Sequence, residues 1–194
     1  MARPREFNEV EALESAMRLF WARGYDATSL SDLVGGMGLS KSSLYDTFGS
    51  KHELFLAAID HYNETVASRR VAALIAGAGG GRAGIAAVFE RIVGDLTSGG
   101  ERHGCFVNNC AVEVAPHDAA AAERVCTGFA CMEKAFYEAV ERGQEDGEID
   151  AGRDARALAR YLTSSLNGVV VMAKADPDRA ALEDIVAVVM SALG

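Results

Sequence analysis

The chain has 194 residues, 49% apolar and 24% charged, a globular balance with ample material for a core, which excludes disorder over most of its length. The longest apolar runs, such as that at 185–190, fall far short of the ~20 residues of a bilayer span. The basic N-terminus lacks the apolar stretch of a secretory signal, so a soluble, cytoplasmic protein with no membrane partner is expected. The net charge of −9 is unevenly spread: residues 1–52 hold 6 Lys/Arg against 7 Asp/Glu, the rest 13 against 21. A polyanion would therefore be met by the first fifty residues. Cys105, Cys110, Cys126 and Cys131 are too few for a disulfide framework and read as reduced thiols.

Helical spacing runs through the chain. Val10, Leu13, Met17, Phe20 and Trp21 recur at steps of three and four, and Gly24 closes the stretch. Thr28 or Ser29 can cap a short helix that turns Leu30, Leu33, Val34 and Met37 inward. Gly38 ends it, and Leu39 plugs the turn. Ser40 caps a second short helix that buries Leu44 and Phe48 and leaves Lys41, Ser42, Ser43, Tyr45 and Thr47 outside. This is helix-turn-helix grammar. An eight-residue helix of about 12 Å suits the B-DNA major groove, while a generic helical hairpin with a solvated Ser/Lys face is the plainer alternative.

Ser50 and Glu53 then fit a capping box that opens a long fourth helix over 51–76. A Gly-rich turn at 77–84 follows. Its Gly79-x-Gly81-x-x-Gly84 formally matches a dinucleotide fingerprint but follows a helix, not a strand, so it reads as a loop. Further stripes occupy 85–96, 125–140, 157–172 and 182–193. The expected architecture is all-α with about nine helices: a three-helix helix-turn-helix domain at 1–52, then a helical effector and dimerisation domain at 53–194.

The run Phe20-x-x-x-Gly24-Tyr25-x-x-Thr28-Ser29-Leu30-x-x-Leu33, continued by Gly38-Leu39-Ser40-Lys41-Ser42-Ser43-Leu44-Tyr45-x-x-Phe48-x-x-Lys51-x-x-Leu54, resembles the DNA-binding domain of the tetracycline-repressor (TetR/AcrR) family over residues 6–55. The resemblance implies a homodimeric transcriptional repressor on double-stranded operator DNA, released by a small-molecule effector. Thr28 and Lys51 would hold phosphates, with Ser29 beside them at the helix start. Lys41, Ser42 and Ser43 would read base edges, and Tyr45 would press on the backbone or a thymine methyl. Thr47 stands where many members have His or Tyr. Arg3 and Arg5 could form an arm along the DNA.

In the second domain a pocket is expected among Phe89, Phe106, Phe129, Met132, Phe136 and Tyr137, each of which could equally be core. The C-terminal stripes, carrying Leu158, Leu162, Leu166 and Val169 on one helix and Ile185 and Val189 on the other, are expected at the dimer interface, as in the family; the alternative is that both helices simply cap the protomer's own core. Two half-sites about 34 Å apart require two-fold symmetry. Gly104-Cys105 reads as a helix start, with Arg102 and His103 just upstream. A thiol there can gain thiolate character, and some family members sense electrophiles through a cysteine at this place. The alternatives are a buried core residue or a thiol-dependent enzyme using His103 or His117 as base. His103, Cys105, Cys110 and His117 match no standard metal spacing, so neither metal nor cofactor is expected.

Overall fold

A computed structural model describes residues 7–100, 102–176 and 178–194. All regular structure among them is helical: α1 Glu9–Arg23, α2 Leu30–Met37, α3 Lys41–Phe48, α4 Lys51–Tyr62, a π-helical turn Asn63–Ala67, α5 Ser68–Gly77, α6 Gly81–Leu96, α7 Phe106–Glu113, α8 Ala119–Glu145, α9 Ala155–Ala175 and α10 Arg179–Ser191. The α4–π–α5 stretch is the long fourth helix of the sequence reading. Its change of pitch falls at Asn63, whose Nδ2 donates to the Arg124 carbonyl on α8 at 3.0 Å. Counted as one rod, it makes nine helices.

The helix starts follow local chemistry. Asn8, Ser29, Ser40, Ser50, Asp118, Asp154 and Asp178 each cap a helix by accepting from its free amides. Neither α7 nor α6, which begins at the Gly-rich turn, has a side-chain cap of its own. At the start of α6 the Glu148 carboxylate, from beyond α8, accepts from the Arg82 amide at 3.0 Å instead. The end that a phosphate would seek is thus held by an internal anion. Gly84 lies inside α6, and a Cβ there would stand 2.8 Å from the Ile75 carbonyl oxygen. Gly84 therefore lets α5 pack closely on α6.

Two cores result. The first gathers Phe20 from α1, Leu33 from α2, Leu44 from α3 and Phe55 from α4, and continues into Phe106 and Cys110 of α7 and Val125 of α8. The α7 segment thus shares the core of the N-terminal helices. The second joins α5, α6, the C-terminal half of α8, α9 and α10 around Phe89, Phe136 and Leu162. Each fully buried Phe or Leu contributes ~1.5–3 kcal/mol relative to exposure.

This packing turns the residues expected at the dimer face inward. Leu158, Leu162, Leu166, Val169 and Val189 are buried inside the protomer at 6% exposure or less, and Ile185 packs against the same cores. Apolar periodicity marks the face a helix turns to its own chain. The outward sides of the same two helices carry Tyr161, Val171, Met172 and Val188, between 38% and 65% exposed.

Candidate nucleic-acid interface and cavity

The α2–turn–α3 unit is set by its caps and one glycine. Ser29 and Asp32 form a reciprocal capping box on α2, and Arg23 from α1 pairs with the same carboxylate at 2.6 Å. The hydrogen bonds from Ser29, through side chain and backbone, and then the Arg23 guanidinium lower the Asp32 carboxyl to about 2. Gly38 closes α2 in the left-handed region, at φ 66°, which favours a residue without Cβ. Leu39 is buried in the turn and Leu44 beneath α3, which fixes the outward side of α3.

That side presents Lys41, Ser42 and Tyr45 as exposed residues, with Ser43 and Thr47 half-buried at its edges. The Ser40 hydroxyl accepts from the Ser43 amide at 3.1 Å and lies 2.9 and 2.8 Å from the hydroxyls of Ser42 and Ser43. The start of α3 is therefore a cluster of short hydroxyls beside one cation. The Lys51 ammonium at the head of α4 sits 4.3 Å over the Tyr25 ring, held by cation–π attraction. Ser29 is exposed at the head of α2. Thr28 departs from its expected role: it is wholly buried, and its hydroxyl donates to the Gly24 carbonyl at 2.6 Å. It closes the α1–α2 loop and offers no hydroxyl to a phosphate. Arg3 and Arg5 lie outside the described residues.

A cavity of about 330 Å³ opens between the π turn, α5, α6, α8, α9 and the segment before α7. Cys105 and Met132 line it; the aromatic side chains expected there do not. Phe89, Phe106 and Phe136 are fully buried core residues, and Phe129 packs half-buried against the first core. Tyr137 lies on the outer side of α8, under the Arg156 guanidinium at 4.0 Å, with its hydroxyl donating to Glu141. Large apolar groups at helical spacing went into close packing. The space remains where Trp21, Tyr62, Arg70, Arg102, His103 and Lys174 converge with smaller aliphatic residues.

Cys105 caps α7 through its backbone, without a side-chain cap bond, and its Sγ accepts from the Tyr62 hydroxyl at 3.5 Å. Burial, then the neighbouring thiol of Cys105, raises the Tyr62 hydroxyl well above the ordinary tyrosine range. Cys110 is buried within α7; desolvation, then the Glu113 carboxylate, pushes its thiol up. Among the described residues no group of three or more His, Cys, Asp and Glu is placed to hold a metal ion, and no helix is long and apolar enough to cross a membrane.

The two regions are physically joined. Trp21, on α1 of the helix-turn-helix unit, lines the cavity and donates its indole N–H to the Gly104 carbonyl at 3.2 Å. Its ring meets Tyr62 edge-on at 5.2 Å between centroids, and Tyr62 in turn meets Phe106 at 5.6 Å. At the head of α8, Asp118 pairs with His52 of α4.

Residues 12–58 match the family described as bacterial regulatory proteins, tetR family, and residues 81–189 match the tetracyclin repressor-like C-terminal domain. The helix-turn-helix transcriptional regulator YezE of Bacillus subtilis is 34% identical over the whole of both chains. The transcriptional repressor ComR of Escherichia coli is 33% identical over 89% of this chain and 82% of its own. Among solved structures, the TetR-family regulator CifR, as a cysteine mutant complexed with 26-base-pair operator DNA, superposes with a TM-score of 0.86 at 33% identity, covering 99% of this chain and 100% of its own. With the exposed α3 face, the caps that set it and a full-length match of sequence and fold, the chain belongs to the tetR family and is a DNA-binding transcriptional regulator of the helix-turn-helix type.

Proposed function

We propose that the protein is a homodimeric repressor that is released from its operator when a small molecule fills the cavity or when Cys105 is modified. The observation that carries this reading is the shared wall: Trp21 belongs to the DNA-binding unit, lines the cavity and is hydrogen-bonded to the residue before Cys105. A ligand or adduct that displaces the 103–105 segment displaces α1 with it. Only differential affinity for two arrangements can shift their populations, and this contact gives occupancy of the cavity a direct purchase on the recognition unit.

In this reading α3 enters the major groove. Lys41 and Ser42 read base edges, Tyr45 contacts backbone or methyl groups, and Lys51 and the amides at the heads of α2 and α4 hold phosphates. These amides explain how a segment of nearly zero net charge can grip a polyanion. Two copies meet through the outward sides of α9 and α10, around Tyr161, Gly168, Val171, Met172 and Val188, and the pairing sets the two recognition helices one helical turn apart. The protein's work is binding rather than turnover.

The test is fluorescence anisotropy on the DNA upstream of the protein's own gene against scrambled DNA at two salt concentrations. Specific, strongly salt-dependent binding that N-ethylmaleimide abolishes in the parent but not in Cys105→Ser supports the reading through Cys105. Equal affinity for both DNAs, followed by failure of a random-sequence selection to enrich any site, sinks it.

A further inference from the structure

We propose that the cavity is built for a small amphipathic anion, a carboxylate on an apolar body. The inference rests on the cavity being the effector site of the preceding reading. In a chain of net charge −9, the described charged residues that line this space run the other way: Arg70 from α5, Arg102 from the segment before α7 and Lys174 from α9, against the single carboxylate of Asp95 on α6. Asp95 is itself engaged by two cations, pairing with Arg70 and with Arg91 at 3.1 Å. It fixes the Arg70 guanidinium more than it opposes an incoming anion. Lys174 donates to Asn109 Oδ1 at 2.9 Å, which uses one of three ammonium donors.

Beneath these heads the walls are aliphatic, with Val71, Ile92, Leu96, Met132, Leu166 and Val170. Apolar walls under a cationic rim focus field toward the opening and favour a ligand that is negative at one end and apolar at the other. A cation would meet like charge on three sides. A neutral apolar molecule would bury the same surface but leave the charge-assisted bonds unmade. The Tyr62 hydroxyl already donates to Cys105 Sγ, and Trp21 to Gly104, so these two aromatics serve as walls rather than as donors to the ligand.

The probes are three molecules of one chain length, octanoate, octanol and octylammonium, titrated by calorimetry into the full-length protein without DNA. Octanoate binds about tenfold or more tightly than octanol, and octylammonium most weakly. Lys174→Met and Arg102→Gln, both at exposed positions, each reduce octanoate affinity severalfold and leave octanol unchanged. Asn167→Trp, which fills the space from a half-buried lining position, removes binding of both. Equal binding of octanoate and octanol, preference for octylammonium, heat with none of the three, or octanoate binding that Asn167→Trp leaves intact overturns the proposal. The operator measurement is separate: octanoate that binds but leaves the DNA complex unchanged overturns the effector reading and keeps the ligand class.

Discussion

The Glu113 carboxylate, at the last residue of α7, accepts a hydrogen bond from the backbone N–H of Asp26 at 3.0 Å, across 87 residues of sequence. Asp26 lies in the loop that leads into α2, and Gly24 in that loop passes so close that a Cβ would stand 2.8 Å from the same carboxylate. At its other end α7 is preceded by its cap residue Cys105, next to the carbonyl that holds Trp21. The eight-residue helix thus ties the cavity edge to the loop ahead of the recognition unit. Glu113→Ala is expected to lower stability by about 1 kcal/mol in urea denaturation and to shrink the change in operator affinity that modification of Cys105 produces. Glu113→Gln, which keeps an acceptor, should retain most of both. Equal responses in the two variants would remove α7 from the coupling.

Lys41 and Lys51 should separate by their salt dependence. Lys41→Ala is expected to cost ~1–3 kcal/mol on the best operator and to relax preference at one position. Lys51→Ala should weaken specific and scrambled DNA alike and reduce the slope of log K against log salt by about 1. Anisotropy titrations over a salt series distinguish them, and an unchanged preference in Lys41→Ala would remove its base-reading role.

How much of this was legible in the sequence differs from part to part, for physical reasons. The caps at Ser29, Ser40 and Ser50 and the turn at Gly38 are local features, complete within four residues, and their spacing locates them. Thr28 and Ser29 both suit an N-cap, and what separates them is the Gly24 carbonyl that takes the Thr28 hydroxyl, a contact that spacing does not rank. The π turn leaves no periodic mark, since its partners, the Arg124 carbonyl and the close approach of Gly128 to Asn63, come from a distant helix. The phenylalanines were expected around a pocket because they are large and apolar, and for that same reason they pack the core. Of the residues expected at the pocket only Cys105 and Met132 line the cavity, and its cations, Arg70, Arg102 and Lys174, look like ordinary solvated charges along the chain.

Acid should weaken the N-terminal unit in a defined window. The folded-state pKa of Asp32, about 2, lies below its ordinary value of 3.8, so its contribution is complete above about pH 4 and is lost as pH falls from there toward 2. The Asp118 carboxyl is lowered too, first by the Ala121 amide and then by His52, and its contribution is lost in the same direction. Asp32→Asn should therefore lie below the parent in thermal stability at neutral pH and approach it as the pH drops toward 2. A constant difference across the range would show that the Ser29 and Arg23 contacts do not discriminate between the two protonation states.

The pairing face can be tested without touching the core. Val188 is 65% and Val171 52% exposed, so Val188→Glu and Val171→Glu should leave the helical signal and the thermal transition of the protomer nearly intact. Each should shift the mass seen by light scattering from dimer toward monomer, because two copies related by a two-fold axis would bring the new charges close together. Leu162→Ala, by contrast, removes a fully buried side chain and should cost ~2–5 kcal/mol of stability. Dimers that persist in both glutamate variants would place the interface elsewhere.

The four thiols should be modified in an order set by accessibility. Cys126 and Cys131 are exposed on α8, Cys105 is half-buried at the cavity, and Cys110 is buried with its thiol held protonated by desolvation. N-ethylmaleimide followed by mass spectrometry should label Cys126 and Cys131 readily, Cys105 through the cavity, and Cys110 only when the protein opens. Operator release should track the Cys105 adduct alone. It should persist in a variant with Cys126→Ser and Cys131→Ser and vanish in Cys105→Ser, because only Cys105 neighbours the carbonyl that holds Trp21. Release that follows labelling on α8 would instead assign the response to the protein's outer surface.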